Sequence, residues 1–191
     1  LHPCPFPGRR LGLAAEAGRD YNTADVSNRT LREVYLPPFK AAIDAGVATF
    51  MTAFNEIGGI PCTGNKDLFT GLLRDEWEFR GFAVSDHTAV KELVAHGVAG
   101  TDLEAAVLAV GAGVDMNMAD GIYLENLKQA VEKGMISEEL IDNSVRRILE
   151  MKFILGLFDD PYRYLDEERE KNTIMKPDFL KSARDAVRKS T

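Results

Sequence analysis

A carboxylate at the end of a short apolar run is the residue of this sequence best placed to do chemistry. The run is Phe82-Ala83-Val84, preceded by Gly81 and followed by Ser85-Asp86-His87. An apolar run this short, after a glycine, reads as a fully buried strand. Where strands and helices alternate around a barrel, a polar residue just past a strand's C-terminal end sits on the catalytic face. Asp86 has that position. Its other reading is the cap of the following helix, a place Asp favours. Cys62 lies in a loop and is given no role. Asp115 and Asp120 are not at a metal-ligand spacing, and three scattered histidines make no zinc site. The two cysteines, Cys4 and Cys62, indicate no disulfide framework.

The elements that must hold Asp86 in place follow from periodicity. Thr30-Leu31-Arg32-Glu33 matches a capping box. It opens a helix whose stripe is Leu31, Val34, Tyr35, Phe39 and Ile43, with a kink or break expected at Pro37-Pro38. Val47 to Phe54 reads as a buried strand, and Asn55 to Asn65 as a loop with Gly58-Gly59, Pro61 and Gly64. Lys66 to Trp77 returns to helical spacing. A short helix over Val90 to His96, a capped helix from Thr101 to about Gly111, a strand over Val114 to Met118 and a helix over Leu124 to Lys133 come next. Ser137-Glu138-Glu139 opens the last long helix, which Gly156 ends. Residues 159–176 read as a linker or strap, and Pro177 to Lys189 as a short amphipathic helix. Three prolines in the first seven residues forbid a helix and disfavour a central strand, so residues 1–18 read as irregular. Strand–helix repeated about three times signals parallel βαβ units, hence an α/β sheet or barrel. If it is a barrel, the chain holds only its second half.

The 191 residues suffice for one domain with a real core, and 45% hydrophobic with 28% charged residues is ordinary for a globular chain. A net charge of −7 without a basic cluster argues against nucleic acid and anionic membrane as partners. No apolar run approaches the length of a membrane span, and the Pro-rich start is not a signal peptide.

Three blocks of this sequence resemble glycoside hydrolase family 3, the β-glucosidases and β-xylosidases. The first is GRDYNTADVSNRTLREVYLPPFKAAIDAG, Gly18 to Gly46. The second is MTAFNEIGGIPCTGN, Met51 to Asn65, with LLRDEWEFRGFAVSDH, Leu72 to His87. The third is AGVDMNMADG, Ala112 to Gly121, with RRILEMKFILGLFDDPY, Arg146 to Tyr162. Their order and spacing agree with the family over roughly residues 18–191. Within it the sequence looks closest to bacterial periplasmic β-glucosidases, which carry His after the catalytic Asp where many fungal and plant members carry Trp. The resemblance implies a partial (β/α)₈ barrel, about strands 5–8. In that division residues 1–17 are a divergent irregular segment, 18–158 the C-terminal half of the family's first domain, and 159–191 a linker with the first helix of a second domain. It also implies a periplasmic or secreted location and a β-glucoside or oligosaccharide substrate.

The resemblance also implies roles. Asp86 aligns with the nucleophile of a retaining glycosidase. Such an enzyme needs an ionised carboxylate to hold a glycosyl intermediate, with an acid/base carboxyl about 5–5.5 Å away. In the family that acid/base is a Glu from the second domain, and none of the Glu residues here lies in a matching motif. Arg19 aligns with an Arg that binds sugar hydroxyls through its planar fork, the other reading being a loop Arg in a surface pair. Phe54 lies where many relatives have a Tyr beside the nucleophile, and His87 lines the cleft; a core Phe and a structural His are the other readings. The reaction needs no metal or organic cofactor. One departure stands out: the family's Lys-His-Phe strand precedes the Gly18–Asn22 block, whereas here the place reads LHPCPFPGRRLGL, without lysine. A frame change upstream of about Gly12 would account for it, and an intact frame in the encoding DNA, with no alternative reading, would rule it out. Without the Lys-His pair, the front half of the barrel and the acid/base, the fragment alone is expected to be nearly inactive and prone to self-association through exposed strand edges. The competing readings are a β-xylosidase or β-N-acetylhexosaminidase of the same family and a non-catalytic α/β binding module.

Overall fold

Four strands run parallel in one sheet: Arg9–Leu11, Thr49–Thr52, Phe82–His87 and Met116–Met118, in that order across it. Each lies beside the strand before it in the chain, so the sheet grows in one direction without reversal. Right-handed crossovers then place the connecting helices on one face. That is the winding of a (β/α)₈ barrel, and a doubly wound sheet would turn back on itself. The α/β partial barrel expected from the sequence is the fold observed. The computed structural model describes residues 9–11, 21 and 23–190, and it falls into two units divided between Met151 and Lys152.

The strand at Arg9–Leu11 corrects the reading of residues 1–18 as irregular. Its three residues contain no proline and pair Arg9 with Phe50 and Leu11 with Thr52. It stands at the end of the sheet, where one partner is enough.

The first crossover helix obeys its prolines. Pro37 and Pro38 occupy the first positions of Pro37–Asp44, where a missing N–H costs nothing, and the preceding helical turns stop at Leu36. The capping box expected at Thr30 does not form. The cap is Ser27, whose hydroxyl accepts from Thr30 N at 3.1 Å. Phe39 from this helix meets Phe50 of the sheet, and Phe50 meets Phe79 edge-on at 5.0 Å between centroids. Gly81 lets the chain pass close beneath: a Cβ there would lie 2.0 Å from the Ala48 carbonyl oxygen.

The Asp67–Glu76 helix buries Leu68, Phe69, Leu72 and Leu73, in keeping with the helical spacing of Lys66 to Trp77. Asn65 caps it, its Oδ1 accepting from Leu68 N at 3.0 Å. Its last turn is wide, Trp77 N reaching Leu72 O. The Asp102–Ala112 helix is lined with alanines and packs on Ile122–Glu132 through Ala105, Ala106, Ala109 and Ile122. The cap expected at Thr101 forms, Thr101 Oγ1 accepting from Glu104 N. The Glu104 carboxylate reaches one residue further back, to Gly100 N.

At the N-terminal side of the sheet Asp115, its side chain fully buried, is clamped by two guanidinium groups. Arg74 Nη2 and Arg147 Nη1 each donate at 2.6 Å, and Ala83 N donates at 2.7 Å. Arg74 also donates to the carbonyls of Phe79 and Gly81. One cluster thereby ties the Asp67–Glu76 and Glu138–Ile154 helices to the start of two strands.

In the second unit, Glu167–Thr173 forms a helix within the stretch expected to be a linker. Asp166 caps it, accepting from Arg169 N at 2.9 Å, and Glu167, Glu168 and Glu170 favour its N-terminal dipole. Pro177–Ser190 is the expected amphipathic helix, with Phe179, Leu180 and Val187 exposed. Among the described residues no helix is long and apolar enough to cross a membrane.

Candidate active site

The carboxylate of Asp86 is carried to the C-terminal end of the sheet by the apolar run before it. Ser85 is fully buried and Asp86 is 5% exposed. The regular ladder to the neighbouring strand ends at Met51 and Val84, and on the other side the register shifts between Val84 and His87. Two side-chain hydroxyls add hydrogen bonds where the ladder is irregular. Thr52 Oγ1 accepts the Asp86 N–H at 3.2 Å, and Ser85 Oγ accepts the Met118 N–H at 2.8 Å. The His87 N–H donates to Asp86 Oδ1 at 2.7 Å, which fixes the carboxylate over its own backbone. A turn follows, closed by Ala89 N on Asp86 O, and the next helix begins only at Glu92, with Lys91 as its cap residue.

The turns around this end are strained. Thr88 (φ 60°) and Ala119 (φ 71°) both take left-handed backbone without being glycine. A β-branched residue there is unusual, and such strain collects at functional sites. Thr88 is held by its N–H on Met118 O and its hydroxyl on Glu92 Oε1 at 3.1 Å.

Phe54 is half-buried just past the end of the Thr49–Thr52 strand. It stacks on Tyr21 with centroids 4.5 Å apart and planes 19° from parallel. The Tyr21 hydroxyl reaches Glu92 Oε1 at 3.4 Å, so this ring pair and the segment after Asp86 share one carboxylate. His87 is exposed beside Asp86. Arg19 lies outside the described residues. Three of the four sequence candidates, Asp86, His87 and Phe54, thus stand at the C-terminal ends of two adjacent strands.

The loop expected over Asn55 to Asn65 holds a hairpin, Glu56–Ile57 against Ile60–Pro61, turned by Gly58 and Gly59 at positive φ. Glu56 Oε1 meets His96 Nδ1 at 3.0 Å. Cys62 and Thr63 are buried where the hairpin returns to the sheet. Burial, aided by Glu56, pushes the Cys62 thiol up to about 12, which leaves it protonated and inert. Burial pushes the Tyr123 hydroxyl well above its ordinary range; it donates to Val114 O at 2.8 Å. Among the described residues no three His, Cys, Asp or Glu side chains are grouped to hold a metal ion.

Nothing in the sequence marks Thr52, Thr63 or Tyr21 as part of the site. A Thr at a strand end is ordinary, and only a strand register shows whose N–H it faces. Asp115 stands at no metal-ligand spacing, and its two arginine partners, 41 and 32 residues away, leave no local signature in the sequence.

The sequence model described as the glycosyl hydrolase family 3 N-terminal domain matches residues 6–151. A periplasmic β-glucosidase of Salmonella typhimurium is 43% identical over 152 residues, which is 80% of this chain and 20% of that protein. A β-xylosidase of Formosa agariphila is 42% identical over 176 residues, 87% of this chain and 24% of that protein. The crystal structure of a β-glucosidase from Listeria innocua superposes with a TM-score of 0.84 at 46% identity, covering 91% of this chain and 24% of that one. The chain therefore spans about a fifth to a quarter of the length of these relatives. The matched stretch begins ahead of Gly18 and takes in the Arg9–Leu11 strand. The chain belongs to glycosyl hydrolase family 3.

Proposed function

We propose that this chain is the nucleophile-bearing part of a retaining β-glycosidase, with Asp86 as the nucleophile. The observation that supports this most is the placement of Asp86: a nearly buried carboxylate at the C-terminal end of a parallel barrel strand, oriented by the His87 N–H. In the first step a carboxylate oxygen of Asp86 bonds to the anomeric carbon. The glycosidic C–O bond breaks, and the leaving oxygen takes a proton from a second carboxyl group. In the second step water attacks the same carbon, gives its proton to that second group, and Asp86 leaves as carboxylate. The second carboxyl comes from a domain outside this chain. Residues 159–191 lead toward that domain, as in the division read from the sequence.

The substrate class is a terminal β-glucoside, on the strength of the relatives from Salmonella and Listeria, which are named β-glucosidases. The Formosa relative, named a β-xylosidase, supports a β-xyloside as the second reading. Phe54 and Tyr21 supply the apolar ring surface at the mouth, while His87 and Arg19 supply polar contacts to the sugar. The parent protein is periplasmic or secreted. The chain alone turns over little substrate.

The test is covalent trapping. A 2-fluoro-β-glucoside is incubated with the enzyme that contains this chain, and peptides are mapped by mass. An adduct on Asp86 is expected, absent in Asp86→Asn. An adduct on another carboxylate, or none at all, would overturn the assignment.

A further inference from the structure

We propose that the buried hydroxyl pair Thr52–Thr63 positions Asp86, so that the hairpin loop behind the nucleophile sets its reactivity. This rests on Asp86 being the nucleophile. Thr52 is the last residue of its strand and is fully buried; Thr63 is 2% exposed. Their Oγ1 atoms are 2.9 Å apart. The strand ladder stops at the Met51–Val84 pair, so the Asp86 N–H is met by the Thr52 hydroxyl where a regular sheet would offer a carbonyl. A hydroxyl has one proton and two lone pairs. One lone pair of Thr52 is taken by Asp86, and Thr63 fixes the rotation of what remains.

Thr63 is itself anchored. It sits in the tight turn Cys62–Gly64, between the hairpin and Asn65, which caps the next helix. Cys62 N bonds back to Asn55 O at 3.0 Å, closing the loop onto its own start. A chain of short contacts thus runs from the loop through two hydroxyls to the backbone of the nucleophile. Neither threonine touches the reacting atoms; both are positioning residues. A misplacement of an ångström at the nucleophile can cost about a hundredfold in rate, while substrate affinity is set by other groups.

The experiment compares trapping kinetics by the 2-fluoro-β-glucoside in the enzyme containing this chain. Four forms are used: parent, Thr52→Val, Thr52→Ser and Thr63→Val. The parent must first give the Asp86 adduct; its absence there overturns the functional reading, independently of the threonines. With the adduct present, Thr52→Val is expected to lower the bond-forming rate constant about 10- to 100-fold. The inhibitor concentration for half-saturation should change less than about threefold, the size of a weak surface contact. Thr52→Ser should restore the rate, since it keeps the hydroxyl. Thr63→Val should lower it about 2- to 10-fold, the worth of one hydrogen bond, and serves as the second probe if Thr52→Val does not fold. A parent-like rate in either valine variant, or no rescue by serine, overturns the proposal.

Discussion

Replacing Asp115 by Asn removes one charge from the most buried ionic cluster among the described residues. The carboxylate side chain has no exposure, Arg74 has 11% and Arg147 has 31%. Burial already pulls the Arg74 guanidinium down to about 10, with Asp115 opposing that pull. Without the Asp115 charge Arg74 stays largely out of water, and the Phe79 and Gly81 carbonyls, the Phe79 ring and a neutral Asn oxygen offset its charge less well. Removing one partner of a buried pair costs about 3–5 kcal/mol. Arg147 is a third exposed and regains water, so the lower end, about 3 kcal/mol, is expected. That is a large share of the roughly 5–15 kcal/mol by which a domain is stable. Urea unfolding followed by Trp77 fluorescence measures it; at a slope of about 1–3 kcal/mol per molar the midpoint should fall by about 1–3 M. A loss below about 1 kcal/mol would show that the cluster is solvated in solution and refute the reasoning. The exposed Arg32–Glu76 pair offers the contrast: it is just as short at 2.7 Å, and its removal should shift the midpoint far less. Replacing all three members by Leu and Met should be close to neutral, because no buried charge is left behind.

Other outcomes follow from single contacts. Gly81→Ala should destabilise by about 3 kcal/mol, as a Cβ cannot share space with the Ala48 carbonyl, and thermal unfolding reads it. Cys62 binds its proton more tightly folded than unfolded, so its contribution is complete below about pH 9 and is lost as pH rises toward about 12. Stability should fall by up to about 1.4 kcal/mol per pH unit across that window, and Cys62→Ala should remove this component of the slope. Thr101→Ala should cost about 1 kcal/mol through the lost cap, measured by denaturant titration. The chain alone should self-associate through its end strands; a monomer by light scattering at all concentrations would contradict this.

Much of the fold was legible because hydrophobic period survives in a single sequence. Leu68, Phe69, Leu72 and Leu73 mark one helix face, and Phe82 to Val84 one strand, whatever they pack against. The Arg9–Leu11 strand was not legible: its residues have no strand signature, and pairing with Phe50 and Thr52 creates it. The Glu167–Thr173 helix was hidden by composition, since acids that look like a linker also suit a helix start. At the site, the position of Asp86 could be read from the end of an apolar run. The hydroxyls of Thr52 and Thr63 could not, since their meaning depends on a register between segments that the sequence leaves unconnected.

The order of the strands bears on how the chain comes to be folded. Within the four-stranded parallel sheet every strand pairs with the sheet strand completed just before it, about 30–40 residues earlier. Closure entropy rises only slowly with loop length, so each addition costs nearly the same as the last. Nothing late in synthesis needs to be inserted between strands already paired. These four strands can therefore be added stepwise, in chain order, as the ribosome delivers them. A pause in translation then leaves the sheet one strand short and still correctly wound.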